Sequence, residues 1–146
     1  MKKIIFTLLF GGLLFGFSGS AFAQENHGGA LNAFVKFGSD SRIGANYEIQ
    51  VAKNFTVAPE VVIPFNFDYF VLGARADYYF DSLLKLPTEW DIYAGVDTGI
   101  IVNGEDSFDI NIHAGVEYKF TEHWGILGEF GGGTSSTGGI GVAYHF

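Results

Sequence analysis

Eleven charged residues share a spacing that places them on one side of alternating segments: Lys36, Arg75 and Lys119 as cations, and Glu48, Glu60, Asp77, Asp91, Asp97, Asp109, Glu117 and Glu129 as anions. Side chains two apart on a strand point the same way, so such a set converges if the strands close on themselves. Three cations against eight anions make an acidic lining. Arg75 sits near mid-depth of its segment, with Glu60 and Asp97 near mid-depth of the two neighbouring ones and Glu48 one segment further away. One guanidinium serves two carboxylates, so the expected centre is Arg75 bridging Glu60 and Asp97. Glu48, Lys119 and Glu117 complete the expected network. An acidic lining also suits a cation pathway, and that reading stands beside the ion-paired one.

Other chemistry is poorly provided for. Nucleophilic catalysis needs a hydroxyl or thiol within reach of a base. Ser39, Ser41, Ser107, Ser135 and Ser136 fall in turn-like stretches, whereas His113 belongs to the inward set and His123 and His145 to the other end of their segments. No catalytic residue is assigned. Histidines at 27, 113, 123 and 145 lack a metal-ligand spacing, and the chain contains no cysteine. No metal and no cofactor are expected.

The elements that carry these charges are strands. Phe108, Ile110, Ile112, Ala114, Val116, Tyr118 and Phe120 alternate with Asp109, Asn111, His113, Gly115, Glu117 and Lys119, a period of two with chemically distinct faces. The same pattern marks 31–37, 43–51, 55–65, 70–80, 90–102 and, more weakly, 124–130. A last strand carries Ile140, Val142, Tyr144 and Phe146 on one face. Short Gly, Asn, Asp and Ser turns join them, with 104–107 and 131–137 among the turns. The longest link, 81–89, is expected to hold one helical turn capped by Asp81 and ended by Pro87. Pro59 falls inside its strand and predicts a bulge or weakened pairing. Eight strands in sequence with short links predict an all-β, eight-stranded antiparallel up-and-down barrel, which leaves no exposed edge.

Which face looks outward decides between a soluble barrel and a transmembrane one. The apolar faces hold no charged residue, and aromatics collect at both strand ends. One rim has Phe55, Phe80, Trp90, Phe120, Trp124 and Phe146, and the other has Phe37, Phe65, Phe70, Phe108 and Phe130. Lipid demands apolar exteriors and aromatic girdles; a soluble barrel has no use for two girdles. The inward faces are rich in glycine and small residues, as a narrow eight-stranded interior requires.

The start of the chain fits export. Lys2 and Lys3, the apolar run 4–17 and the small residues Ala21 and Ala23 make a signal peptide over residues 1–23, with the barrel domain over 24–146. The apolar run is shorter than the ~20 residues of a spanning helix. Loss of two lysines leaves six basic against 16 acidic residues, a net charge of −10, which argues against nucleic acid as a partner.

Residues 116–125, Val-Glu-Tyr-Lys-Phe-Thr-Glu-His-Trp-Gly, resemble the strand–turn–strand signature of small bacterial outer-membrane barrels. Residues 141–146 resemble their C-terminal assembly signal, to which Ile140, Val142, Tyr144 and Phe146 contribute. The stretch from Ala76 to Gly95 looks like Bacteroidetes-type members, and the general resemblance is to the OmpX/OmpA-barrel superfamily. This resemblance implies an integral outer-membrane protein of the Gram-negative envelope, with lipid and the barrel-assembly machinery as partners, a monomeric state and a structural role without catalysis. A narrow cation channel and surface adhesion are the alternatives. The links at the outer end are only a few residues, unlike those of adhesins, and a peptidoglycan-anchoring domain of the OmpA type is not expected.

Overall fold

The computed structural model describes residues 26–104 and 108–146. The expected signal peptide over 1–23 and the Glu105–Ser107 part of one expected turn lie outside the described residues. The alternating segments form eight strands: β1 (Ala30–Gly38), β2 (Arg42–Ala52), β3 (Phe55–Pro64), β4 (Phe70–Tyr79), β5 (Trp90–Val102), β6 (Phe108–Lys119), β7 (Trp124–Gly133) and β8 (Ser136–His145). Each pairs antiparallel with the next, and β8 closes on β1, so the sheet is a closed up-and-down barrel. Every strand thereby has two partners and no edge is left to pair with another chain.

The alternation read from the sequence is the inside–outside alternation of the barrel. On β6, Asp109, Asn111, His113, Gly115 and Glu117 are buried, while Phe108, Ile110, Ile112, Val116 and Tyr118 are exposed. The inversion holds all round: Leu31, Ile43, Val61, Leu72, Val96, Ile126 and Ile140 face outward, and Asn32, Arg42, Asn46, Arg75, Asp77 and Asp97 face inward. A water-soluble barrel buries its apolar face; this one displays it, as the transmembrane β-barrel fold does.

The start of β1 and the end of β8 lie at one end of the barrel, here the proximal mouth; the other is the distal mouth. Around the proximal mouth, Trp90 meets Tyr118 with centroids 4.7 Å apart, Trp124 meets Tyr144 at 4.9 Å, and Tyr144 meets Phe146 at 5.0 Å. Phe146 also reaches Tyr47 of β2 at 6.1 Å, so the aromatic ring is continuous across the β8–β1 seam. Phe55 and Phe80 are half-buried and Phe120 exposed in the same rim. Phe37, Phe65, Phe108 and Phe130 are exposed toward the distal mouth.

Two local expectations are corrected, and the two outcomes left open at Pro59 are separated. Residues 131–137 are not a long turn: β7 runs to Gly133 and β8 starts at Ser136. The glycines there belong to the wall, and a Cβ on Gly133 would lie 2.5 Å from the Asn111 Cα. Asp81 does not cap the short helix α1 (Asp81–Leu84), which follows Phe80 with no side-chain cap; its carboxylate turns inward and is buried. Pro59 produces weakened pairing rather than a bulge at its own position. It stays in register with Ala74 of β4, but the ladder to β2 lapses between Asn46↔Glu60 and Ile49↔Val57, as the missing N–H requires.

Candidate functional site: the closed barrel interior

The inward residues sit in tilted rows set by strand register. One row joins Phe34, Gly44, Val62, Val71 and Ile101 across five strands. Phe34, Val62 and Val71 pack as an apolar cluster inside the barrel, with Tyr69 and Ile101 against it. Phe34 fits because its neighbours on both sides are glycines. A Cβ on Gly44 would come 2.5 Å from the Phe34 ring, and one on Gly141 would come 2.8 Å from its Cβ. The sequence reading treated the lining as polar and missed this cluster; Phe34, Val62, Val71 and Ile101 stand at inward positions of their strands, and that is the signal that could have found it.

Beside the apolar cluster lies the first ion-pair group. The Lys36 ammonium donates to Glu60 Oε1 at 2.8 Å and to Asp97 Oδ2 at 2.9 Å. Asn111 donates to the other Asp97 oxygen at 2.8 Å, and Asn46 donates to Glu60 Oε2 at 3.4 Å. Glu60 and Asp97 are thus brought together as expected, but by Lys36 rather than Arg75. Arg75 and Asp97 are register partners on β4 and β5, yet their heads diverge. In a narrow barrel the long side chains cross the lumen rather than lie along the wall, so Lys36 reaches both acids from β1.

Arg75 instead serves Asp77 and Glu129. Its Nε donates to Asp77 Oδ2 at 2.7 Å, and its Nη2 donates to Glu129 Oε1 at 2.7 Å, where the Tyr93 hydroxyl also donates at 2.8 Å. One guanidinium bridging two carboxylates was the right principle with the wrong acids. His113 ties this group to the first. Its Nε2 lies 2.6 Å from Asp77 Oδ1 and 2.7 Å from Arg75 Nη2, and its Nδ1 lies 3.6 Å from Asp97 Oδ2. A single ring nitrogen cannot accept from the guanidinium and donate to the carboxylate at once, so the tautomer selects the partner.

The remaining sequence-predicted residues stand apart from this centre. Glu48 accepts from Asn32 at 2.7 Å and from the Tyr79 hydroxyl at 2.6 Å. Lys119 pairs with Asp91 at 2.8 Å, and Glu117 pairs with His145 at 2.7 Å at the proximal mouth. Toward the distal mouth, Arg42 donates to Asp109 at 2.9 Å, and Ser135 donates to the same carboxylate at 2.7 Å. Arg42 and Ser135 were absent from the expected network. Ser135 is read from the sequence as a turn residue, and Arg42 falls just before the segment 43–51, although it precedes Ile43 and so keeps the inward phase.

Chemically, the interior is a set of charges answered by opposite charges and amides across the lumen. Lys36, Arg42, Arg75, Asp77 and Asp97 are all buried, and each is answered by at least one oppositely charged group, as a buried charge requires. No protein-family model matches the chain, and no curated protein sequence does. Among solved structures it is similar to a de novo designed transmembrane β-barrel, with a TM-score of 0.61 at 17% identity over 83% of this chain and 98% of that one. It is similar to the N-terminal β-barrel domain of OprF from Pseudomonas aeruginosa, with a TM-score of 0.56 at 20% identity over 80% and 96% of the two chains. A second designed barrel, TMB2.3, gives 0.53 at 15% identity over 84% and 98%. The likeness is one of fold.

Proposed function

We propose that this chain is a non-enzymatic, monomeric barrel of the outer membrane whose lumen is closed, with a structural role in the envelope. The observation that carries the reading is the filled cross-section: the Phe34–Val62–Val71 cluster lies beside the Lys36–Glu60–Asp97 group, and the Arg75 group adjoins it. Eight strands leave an interior just wide enough for side chains. Here both apolar and ionic side chains occupy it. The outward apolar faces and the aromatic rims supply the lipid contact, and the signal-peptide pattern at Ala21 and Ala23 supplies the route out of the cytoplasm. Ile140, Val142, Tyr144 and Phe146 then present the assembly signal, with the proximal mouth toward the periplasm. The resemblance to Bacteroidetes-type barrels belongs to this proposal.

A non-catalytic role is supported by the partners of Ser135, the one buried serine among the described residues. The Ser135 hydroxyl is spent on Asp109, with Asn111 also against it and no imidazole among its partners. The acid excess favours cations over anions should the lumen open, and the cation-channel alternative rests on that alone. The test is fractionation of the native host's envelope followed by a liposome-swelling assay with small sugars and amino acids. The proposal expects the protein in the outer-membrane fraction, faster gel migration when unboiled, and no swelling above empty liposomes. Recovery in the soluble fraction, or solute-dependent swelling, would overturn it.

A further inference from the structure

The segment leading into β1 is folded back under the proximal mouth. The Gly29 N–H donates to the Glu48 carbonyl at 2.8 Å, and the Phe146 N–H donates to the Gly29 carbonyl at 3.0 Å. A Cβ on Gly28 would lie 2.5 Å from the Gln50 nitrogen, so the chain presses directly on β2. This carries His27 into the barrel mouth, where its ring stacks on Tyr79 with centroids 4.1 Å apart and planes 9° from parallel. Asp81, the first residue of α1, and Asp91, near the start of β5, converge on the same spot.

Each of these three residues keeps one buried polar atom that the protein leaves without a partner. His27, Asp81 and Asp91 are 3%, 3% and 1% exposed. Yet His27 Nδ1, Asp81 Oδ1 and Asp91 Oδ1 are all buried without a hydrogen-bond partner. Among the described residues the second Asp81 oxygen meets only His27 Nε2, at 3.5 Å, beyond a good charge-assisted hydrogen bond. A buried carboxylate so poorly answered is expensive. The geometry suits a different partner. One donor atom from each residue lies within 4.8 Å of the other two. Bonds of 2.0–2.2 Å in tetrahedral array put ligand atoms about 3.4 Å apart, close to the His27–Asp81 separation.

We propose that His27, Asp81 and Asp91 form a binding site for a divalent transition-metal ion, Zn2+ in particular, at the proximal mouth. One imidazole with two carboxylates suits a borderline ion, whereas Ca2+ and Mg2+ prefer oxygen alone. Three protein ligands leave a fourth position for water. Lys119, 2.8 Å from Asp91 Oδ2, competes for that carboxylate but leaves its Oδ1 to the ion. Bound there, the ion clamps the leading segment to the β4–β5 connection. The ligands come from three separate stretches of the chain, which is why histidine spacing carries no trace of them.

The test titrates Co2+, followed by its visible absorption, and then Zn2+ by competition and calorimetry, into the purified barrel in detergent. Tetrahedral Co2+ bands displaced by one equivalent of Zn2+ are expected. His27→Gln and Asp81→Asn should each weaken binding at least tenfold (a loss of about that size or more attends even supporting residues of metal sites), and Lys119→Met should strengthen it. Unboiled gel mobility verifies that each variant remains folded, and Asp91→Asn replaces any that does not. A His123→Gln/His145→Gln double variant should bind as the native chain does. No Co2+ bands in the native protein, ligand variants that bind unchanged, or loss of binding in the double variant would overturn the proposal.

Discussion

Lys36→Met is the sharpest perturbation of the closed lumen. Methionine keeps nearly the length and apolar bulk of the lysine stem, so the change removes a charge rather than packing. In the native barrel the ammonium sits 2.8 Å from Glu60 and 2.9 Å from Asp97, and the three side chains are 7%, 7% and 8% exposed. At that burial, solvent screens little of the interaction, and removing one partner of a buried pair costs about 3–5 kcal/mol. Asp97 retains the Asn111 bond at 2.8 Å, whereas Glu60 retains only the long Asn46 contact at 3.4 Å. The cost therefore falls mainly on Glu60. The triple variant Lys36→Met/Glu60→Gln/Asp97→Asn removes all three charges together and should recover most of the loss, since replacing a whole buried ion group is often close to neutral. The assay is urea unfolding in detergent or vesicles, followed by fluorescence of Trp90 and Trp124 and by unboiled gel mobility. A single variant within about 1 kcal/mol of the native protein would mean that the pair behaves as an exposed one. The lumen would then be wet, and the reasoning fails.

Other consequences follow from the same contacts. Phe34→Ala empties the space between Gly44 and Gly141 and should cost about 3–5 kcal/mol, the range for large aromatic truncations; a urea midpoint equal to that of the native chain would count against the apolar cluster. The folded barrel favours neutral His27, which faces Tyr79 of β4, Asp81 of α1, Asp91 of β5, and Glu117 and Lys119 of β6. Its contribution to stability is therefore present above the unfolded value near 6.5 and is lost as pH falls below it. Unfolding measured in chelator across that window should show a pH slope that His27→Gln reduces, and an unchanged slope would contradict the assignment. Phe146→Ala removes the ring that links Tyr144 to Tyr47 and should lower the fraction assembled in a pulse-chase without affecting signal removal, whereas full assembly would contradict it.

The fold was legible because lipid outside and ions inside impose opposite chemistry on alternate residues, and that contrast survives in one dimension. Trp90–Val102 is bounded in the structure as the alternation bounds it. Where both faces are glycine, as at 131–133, the contrast disappears and a strand reads as a turn. The interior pairings were less legible. Inward phase assigns Lys36, Arg75 and Asp97 to the lumen, but several partners lie across it: Lys36 reaches Asp97 on β5, Arg75 reaches Glu129 on β7, and Arg42 reaches Asp109 on β6. Such contacts depend on strand tilt and side-chain reach, neither of which is written in the period of a single strand. Asp81 shows the same limit, since a residue placed to cap a helix can instead turn into the barrel mouth.

The claim that the lumen is closed is tested most directly by planar-bilayer recording of the purified native protein, with Phe34→Ala alongside to show that the preparation inserts and that opening is detectable. A silent native barrel is expected, because Phe34, Val62 and Val71 together with the Lys36 and Arg75 groups fill its section, with conductance steps only from the variant. Discrete cation-selective steps from the native protein would contradict it.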